Sequence, residues 1–117
     1  MIYVVNKKRK LEKVKEDFPD AVILDITSTS NMRYAQILSP FYPHMNIPIP
    51  FTEGLTATCV EAVWQGLKVF DGADVDFATF RNDTMHDLKR TVRKYGMPKG
   101  HRKGAYGKEL LGYFEAR

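Results

Sequence analysis

The pattern of apolar positions predicts one central amphipathic helix over residues 58–70. Its apolar residues recur at i, i+3, i+4 and i+7, the spacing that lines side chains up along one side of a helix. They are Val60, Val63, Trp64 and Leu67. Three polar residues keep the same spacing one position further along and form a second stripe beside the first. These are Glu61, Gln65 and Lys68.

This polar stripe has two interpretations. A carboxylate, an amide and an ammonium aligned over two helical turns can face a polar ligand, while Trp64 anchors the helix in the core. Alternatively, Thr58-x-x-Glu61 is a capping box, in which Thr58 caps the helix and Glu61 bonds back to the Thr58 backbone N–H. Spacing alone does not separate a ligand site from a helix cap.

Shorter patterns on both sides predict a small domain of the α+β class. Runs of β-branched residues predict two strands, and a helix between them would make a parallel crossover. The predicted strands cover residues 2–5 and 21–26, and the predicted helices cover Asn6 to about Phe18, 84–95 and 108–115. Four prolines between residues 40 and 50 exclude a regular helix there, and the aromatic residues among them suit either a pocket wall or a packed loop. We therefore expect a single domain spanning residues 1–117, with a short sheet packed against helices.

The charge distribution favours an anionic partner. The net charge is +4, and no Asp or Glu lies between Asp87 and Glu109, whereas eight Lys and Arg residues do. This uneven distribution indicates one electropositive face, which suits a nucleotide or nucleic acid. The glycine-spaced basic loop 99–104 belongs to this stretch, and its backbone N–H groups can approach a phosphate closely. A solvated turn is the alternative interpretation of that loop.

Composition also limits the kind of protein. A chain of 117 residues with 44% hydrophobic residues can build one core. No apolar run approaches the length needed to span a bilayer, so no membrane partner is expected. The single cysteine, Cys59, fits a reducing cytoplasm. The three histidines lack Cys or carboxylate partners at ligand spacing, so no metal or other cofactor is predicted, and the oligomeric state is left open.

Three motifs follow one another between residues 39 and 94. They are Ser39-Pro40-Phe41-Tyr42-Pro43, Val60-Glu61-x-x-x-Gln65-x-x-Lys68-x-Phe70 and Lys89-Arg90-Thr91-Val92-Arg93. Their order resembles that of the NADAR family, whose name stands for NAD- and ADP-ribose-associated. The glutamate, glutamine and lysine agree in spacing without gaps, whereas the apolar residue after the lysine is displaced by one. A later tryptophan and a late aspartate of the family have no counterpart, because the only tryptophan is Trp64 and no aspartate follows Asp87.

The resemblance implies hydrolysis of the N-glycosidic bond between a base and ribose in an ADP-ribose-type or related nucleotide. By position, Glu61 would be the catalytic carboxylate, which stabilises an oxocarbenium-like state or activates water. The predicted substrate-binding residues combine aromatic, polar and basic groups, and they are Phe41, Tyr42, Gln65, Lys68, Arg90, Arg93, His101 and Arg102. Two alternatives stay open. One is a noncatalytic binder of a nucleotide signal, and the other is a basic nucleic-acid-binding protein.

Overall fold

The computed structural model describes residues 1–117 as short helices and strands joined by long irregular segments. Six helices accompany two small antiparallel sheets, which confirms the predicted α+β class. None of the helices has the length and apolar character that crossing a membrane requires. The chain divides into two compact units, Met1–Ser39 and Pro40–Arg117.

The first unit contains two helices and no strand. Helix α1 spans Leu11–Asp17, and helix α2 spans Arg33–Gln36. The strands predicted over 2–5 and 21–26 are wrong, and so is the parallel crossover between them, because neither segment joins a backbone ladder. Most of the apolar side chains in these segments are exposed, so the apolar runs do not mark buried strands.

Helix α1 begins later than predicted because Asn6 closes a turn instead of capping the helix. The Asn6 side chain accepts a hydrogen bond from the Lys8 backbone N–H at 2.9 Å, and the Asn6 carbonyl accepts one from the Arg9 N–H at 2.9 Å. Such local bonds give the backbone an alternative to the helical ladder. The helix therefore starts only at Leu11, after an extended Lys10.

The second unit contains both sheets. In the first sheet, β1 (Ile47–Pro48) pairs with β2 (Thr56–Ala57). The second sheet has the order β3-β4-β5, and its strands are β3 (Lys68–Val69), β4 (Gly100–Arg102) and β5 (Leu110–Leu111). The helices of this unit are α3 (Val60–Gly66), α4 (Phe77–Phe80), α5 (Val92–Tyr95) and α6 (Tyr113–Ala116).

The hydrophobic core of the second unit lies around α3 and α4. Its most deeply buried large side chains are Ile49, Cys59, Phe80 and Leu88. Gly66 allows the two helices to approach closely, since a Cβ atom at this position would lie 2.3 Å from Cε1 of Phe80. The glycine is therefore part of the packing that fixes the C-terminal end of α3.

The central helix is confirmed, but it is shorter than the predicted 58–70. It ends at Gly66 because Lys68 and Val69 leave the helix and pair with β4. Its apolar stripe is only partly buried, because Val60 at the first turn is 54% exposed.

The capping box at the start of α3 does not form. The Thr58 hydroxyl donates to the Asn82 carbonyl and is therefore turned away from the helix. The cap is Cys59, whose Sγ accepts the Ala62 N–H at 3.3 Å. Glu61 is thus not needed to close the first turn, and its side chain has a different partner.

The helix predicted over 84–95 is confined to its last turn, α5. Upstream of it, the Asn82 side chain forms local hydrogen bonds with Thr84 and with the His86 carbonyl. Met85 and Asp87 have positive φ angles of 64° and 56°, which a continuing right-handed helix does not allow.

The helix predicted over 108–115 is also shortened. Leu110 and Leu111 pair with β4 as strand β5, and only then does α6 begin. Phe114 in α6 is 86% exposed, so this last helix does not bury its large aromatic side chain. Cross-strand pairing therefore takes over residues whose spacing alone is helical.

Candidate functional site

The predicted polar stripe forms a hydrogen-bonded row along α3 and into β3. Nε2 of Gln65 donates to Oε1 of Glu61 at 2.7 Å, and Nζ of Lys68 donates to Oε1 of Gln65 at 2.9 Å. We call these three residues the polar row. The amide binds both the carboxylate and the ammonium, so the three side chains act as one unit.

Gln65 is the fixed member of the polar row. It is 4% exposed, and its Oε1 also accepts the backbone N–H of Arg90 at 3.0 Å. Because two donors converge on that oxygen, the amide nitrogen must face Glu61. A buried neighbour therefore positions the half-buried carboxylate of Glu61.

The surroundings of Lys68 lower the pKa of its ammonium group. Burial is the largest cause, and the positive charges of Arg90 and Lys89 act in the same direction. The Glu61 carboxylate acts in the opposite direction and favours the charged form. A partly desolvated cation beside a carboxylate occurs both at functional sites and in structural ion-pair networks.

The proline-rich segment lies beside the start of α3. The backbone N–H of Glu61 donates to the Pro40 carbonyl at 2.9 Å, and the next residue, Phe41, is partly buried against the core. Nζ of Lys89 lies 5.6 Å from the centroid of the Phe41 ring, within cation–π range. The structure thus places Phe41 and Lys89 near the carboxylate end of the polar row. The centroids of the Tyr42 and His44 rings lie 4.9 Å apart.

Lys89 is not among the predicted substrate-binding residues, although it precedes Arg90 in the same motif. Its exposed side chain adds a second cation to the surroundings of Lys68. Position within a basic run does not show which cations face a site, because the segment is irregular here rather than helical.

Arg90 is buried and binds the protein itself. It is 6% exposed, and its guanidinium donates to the carbonyls of Gln65 at 3.3 Å, Lys68 at 2.6 Å and Asp74 at 2.7 Å. The rings of Phe70 and Tyr95 lie 4.9 and 5.0 Å from the guanidinium carbon. These contacts occupy the groups that would grip a phosphate, so the geometry favours a structural role for Arg90.

His101 lies beside the polar row, but it is deeply buried. It is 5% exposed, and its register partner across β3 and β4 is Lys68. Its ring packs against the Trp64 ring at a tilt of 36°, with the ring centroids 3.9 Å apart. Burial, together with the charge of Lys68, lowers the pKa of His101 to about 4, against a smaller opposing effect of the Trp64 backbone. Neither ring nitrogen makes a hydrogen bond of normal geometry. The imidazole is therefore neutral at physiological pH and is poorly suited to donate a proton.

The other two predicted arginines do not join the polar row. Arg93 is exposed on α5 and makes no ion pair or side-chain hydrogen bond. Arg102 follows His101 on β4, so its side chain points to the opposite face of the sheet. There it forms a two-pronged ion pair with Asp74, with Nε···Oδ1 and Nη2···Oδ2 distances of 3.0 and 2.7 Å. Asp74 belongs to no motif, so sequence reasoning missed it.

The structure has no group of three or more His, Cys, Asp or Glu side chains placed to hold a metal ion. The polar row and its neighbours Phe41 and Lys89 present one carboxylate, one amide, two ammonium groups and an aromatic ring. They can bind a polar, anionic ligand and stabilise positive charge next to the carboxylate.

Comparisons with known proteins define the family. No curated protein and no solved structure matches the chain. A family model described as a family of unknown function, DUF6939, matches residues 6–117. This match covers nearly the whole chain, and the protein therefore belongs to the DUF6939 family.

Proposed function

We propose that the protein binds an ADP-ribose-type or related nucleotide at the polar row and hydrolyses its base–ribose N-glycosidic bond. The observation that carries this proposal is the hydrogen bond from the buried Gln65 amide to Glu61, beside the partly desolvated Lys68. A carboxylate whose only task was helix capping or solvation would not need a buried amide to position it. The order of the three motifs, which resembles the NADAR family, also supports the proposal.

In the proposed reaction, the bond between C1′ of the ribose and the base nitrogen breaks. The bonding electron pair leaves with the base, and the positive charge that develops at C1′ is stabilised by the Glu61 carboxylate. Water adds to C1′ and loses a proton, which Glu61 accepts as general base, and the released base takes up a proton. The net reaction adds one water molecule, with its hydroxyl on the ribose and its hydrogen on the base.

The remaining groups near the polar row would bind the substrate. Lys68 and Lys89 supply positive charge for phosphate oxygens or hydroxyl groups, and the ring of Phe41 supplies an apolar wall. Gln65 would act as a positioning residue, because it is buried and acts through Glu61 and Lys68.

A general nucleic-acid-binding surface is less favoured by the geometry. Of the eight cations between residues 88 and 108, Arg90 is buried, and three more form ion pairs with acidic side chains. These three pairs are Lys99–Asp71, Arg102–Asp74 and Lys103–Glu109. The excess positive charge seen in the sequence is therefore partly balanced by acidic residues from elsewhere in the fold.

The proposal is tested with Glu61→Gln, which keeps the shape of the side chain and its hydrogen bond to Gln65. NAD, ADP-ribose and GTP derivatives are first screened by thermal shift, since a ligand that binds only the folded state raises Tm. Release of the free base is then followed by chromatography. We expect wild-type protein to release the base and the variant to be slower by about 10²- to 10⁴-fold with an unchanged Tm.

The matched control is Glu53→Gln, which removes the same charge from an exposed loop residue. It should leave the rate of base release unchanged. Undiminished release by Glu61→Gln would refute the catalytic assignment. Tight nucleotide binding by wild type without any base release would instead identify a noncatalytic binder at the same site.

A further inference from the structure

A polar cavity lies on the far side of the β3-β4-β5 sheet from the His101 ring, away from the polar row. Its volume is about 270 Å³, close to the lower end of small-molecule sites. Its lining combines an ion pair, a free cation and two aromatic rings, and the residues are Asp74, Val75, Phe77, Arg102, Ala105, Tyr106, Gly107 and Lys108. None of them belongs to the polar row.

The loop that forms one wall of this cavity requires glycine at two positions. Gly104 has a φ of 86°, and a Cβ atom there would lie 2.6 Å from the Phe51 carbonyl oxygen. A Cβ atom on Gly107 would lie 2.0 Å from the Lys103 carbonyl oxygen. Hydrogen bonds from the N–H of Ala105 to the Thr52 hydroxyl and from the N–H of Gly107 to the Gly104 carbonyl brace the loop. The cavity wall is therefore preformed.

The polar end of the cavity carries oriented donors and acceptors. Arg102 uses three of its five N–H groups, two on Asp74 and one on the Lys108 carbonyl at 2.7 Å, which leaves one free N–H on each terminal nitrogen. Arg102 holds the pKa of Asp74 at about 2, so this ion pair persists at physiological pH. Fixed N–H and carboxylate groups side by side match the hydrogen-bonding edge of a heteroaromatic ring.

The other end of the cavity is aromatic and basic. The rings of Phe77 and Tyr106 lie 5.6 Å apart, and Tyr106 is 74% exposed, so one face of its ring is free for stacking. Lys108 is exposed and makes no side-chain ion pair, unlike Lys99, Arg102 and Lys103. A flat ring on Tyr106 would thus have an unpaired ammonium group at the rim of its site.

We propose that this cavity is a second binding site, which takes a nucleoside phosphate. The base stacks on Tyr106 and meets the Asp74–Arg102 pair with its polar edge, and the phosphate contacts Lys108. The same chemistry occurs in a free nucleotide and in one unit of a single strand, since each presents a base beside a phosphate. The site does not depend on the hydrolytic activity proposed for the polar row.

Titration calorimetry with AMP, adenosine, inorganic phosphate and a ten-nucleotide oligoadenylate tests this assignment. AMP should bind more tightly than adenosine or phosphate alone, because it uses both ends of the cavity. Tyr106→Leu should weaken AMP binding about tenfold, the effect expected for loss of one stacked base. Lys108→Gln should weaken it by a smaller factor, because an exposed charge is partly screened.

Two matched controls report on nonspecific effects. Phe114→Leu removes another exposed aromatic ring, and Lys8→Gln removes another exposed charge; neither residue lines the cavity. Both should bind AMP as wild type does. Tighter binding of oligoadenylate than of AMP, with the same sensitivity to Tyr106→Leu, would identify a strand as the source of the nucleotide, and the reverse order would identify a free nucleotide.

Three results would overturn the proposal: no AMP binding at millimolar concentration, equal binding by wild type and Tyr106→Leu, or loss of AMP binding in Glu61→Gln. The last result would place the ligand in the polar row. Conversely, AMP binding that is retained in Glu61→Gln and lost in Tyr106→Leu supports the cavity even if wild type never releases a base. The two proposals can therefore fail independently.

Discussion

Replacing Gln65 with leucine tests whether the polar row is held together by its central amide. The substitution removes three hydrogen bonds: those to the carboxylate of Glu61, the ammonium of Lys68 and the backbone N–H of Arg90. A leucine side chain is similar in size and apolar, so it fills the same buried space but pairs with none of these groups. We expect the folded state to lose stability and Glu61 and Lys68 to become mobile.

The size of the loss follows from the burial of the three partners. A hydrogen bond to a charged group stabilises the folded state by about 1.5 kcal/mol at the low end of its usual range. We use this low value for the bonds to Glu61 and Lys68, because both side chains are half-buried and can bind water when the bond is lost. The bond to the Arg90 N–H adds about 1 kcal/mol. The larger apolar surface of leucine recovers about 1–2 kcal/mol. The net destabilisation is then about 2–3 kcal/mol, which corresponds to a fall in Tm of about 8–12 °C for a chain of this size.

Urea unfolding followed by the fluorescence of Trp64 measures this loss directly, because Trp64 is the only tryptophan and lies on α3. Gln65→Glu serves as the companion variant, since it keeps the acceptor for Lys68 but directs a second carboxylate at Glu61. Like-charge repulsion would raise the pKa of one of the two acids, so this variant should lose stability as the pH rises above about 5. A destabilisation below about 1 kcal/mol in Gln65→Leu, with an unchanged denaturant slope, would refute the reasoning.

Two further substitutions test the packing and the titration inferred above. Gly66→Ala places a Cβ atom 2.3 Å from the buried Phe80 ring, so urea unfolding should show a loss of about 1–3 kcal/mol, whereas Gly72→Ala meets open space and should be neutral. His101 has a pKa of about 4 in the folded state and about 6.5 when unfolded. As the pH falls from 6.5 towards 4, the unfolded chain is protonated at this residue before the folded chain is. The free energy of unfolding should therefore decrease over this pH range. His101→Phe should remove this part of the pH dependence of Tm, and an unchanged dependence would contradict the assignment.

The polar row could be predicted from sequence because it depends on local geometry. Glu61 and Gln65 are one helical turn apart, and any helix over these positions brings them together. The same reasoning located the central helix but not its end, because Lys68 and Val69 are drawn into a strand by residues more than thirty positions later. Local spacing contains no information about such pairing.

The role of Arg90 could not be predicted for the same reason. In the sequence it is one of several cations that suit a phosphate, and only the fold shows that three carbonyls and two rings surround it.

The strands predicted over 2–5 and 21–26 are wrong because a strand also depends on residues elsewhere in the chain. Their β-branched residues favour strands, but strands also need partners, and neither segment has one.

The position of Arg90 has a consequence for genetics. Its backbone holds Gln65 in the polar row, while its side chain holds the carbonyl of Asp74, which lines the polar cavity. A mutational screen scored only by growth or turnover would rank this arginine among the ligand contacts, although it would touch no ligand at either place. Measuring the amount of folded protein in the same cells would distinguish Arg90 from Glu61 and Tyr106. Variants at Glu61 and Tyr106 should reach the wild-type amount of folded protein, whereas variants at Arg90 should not.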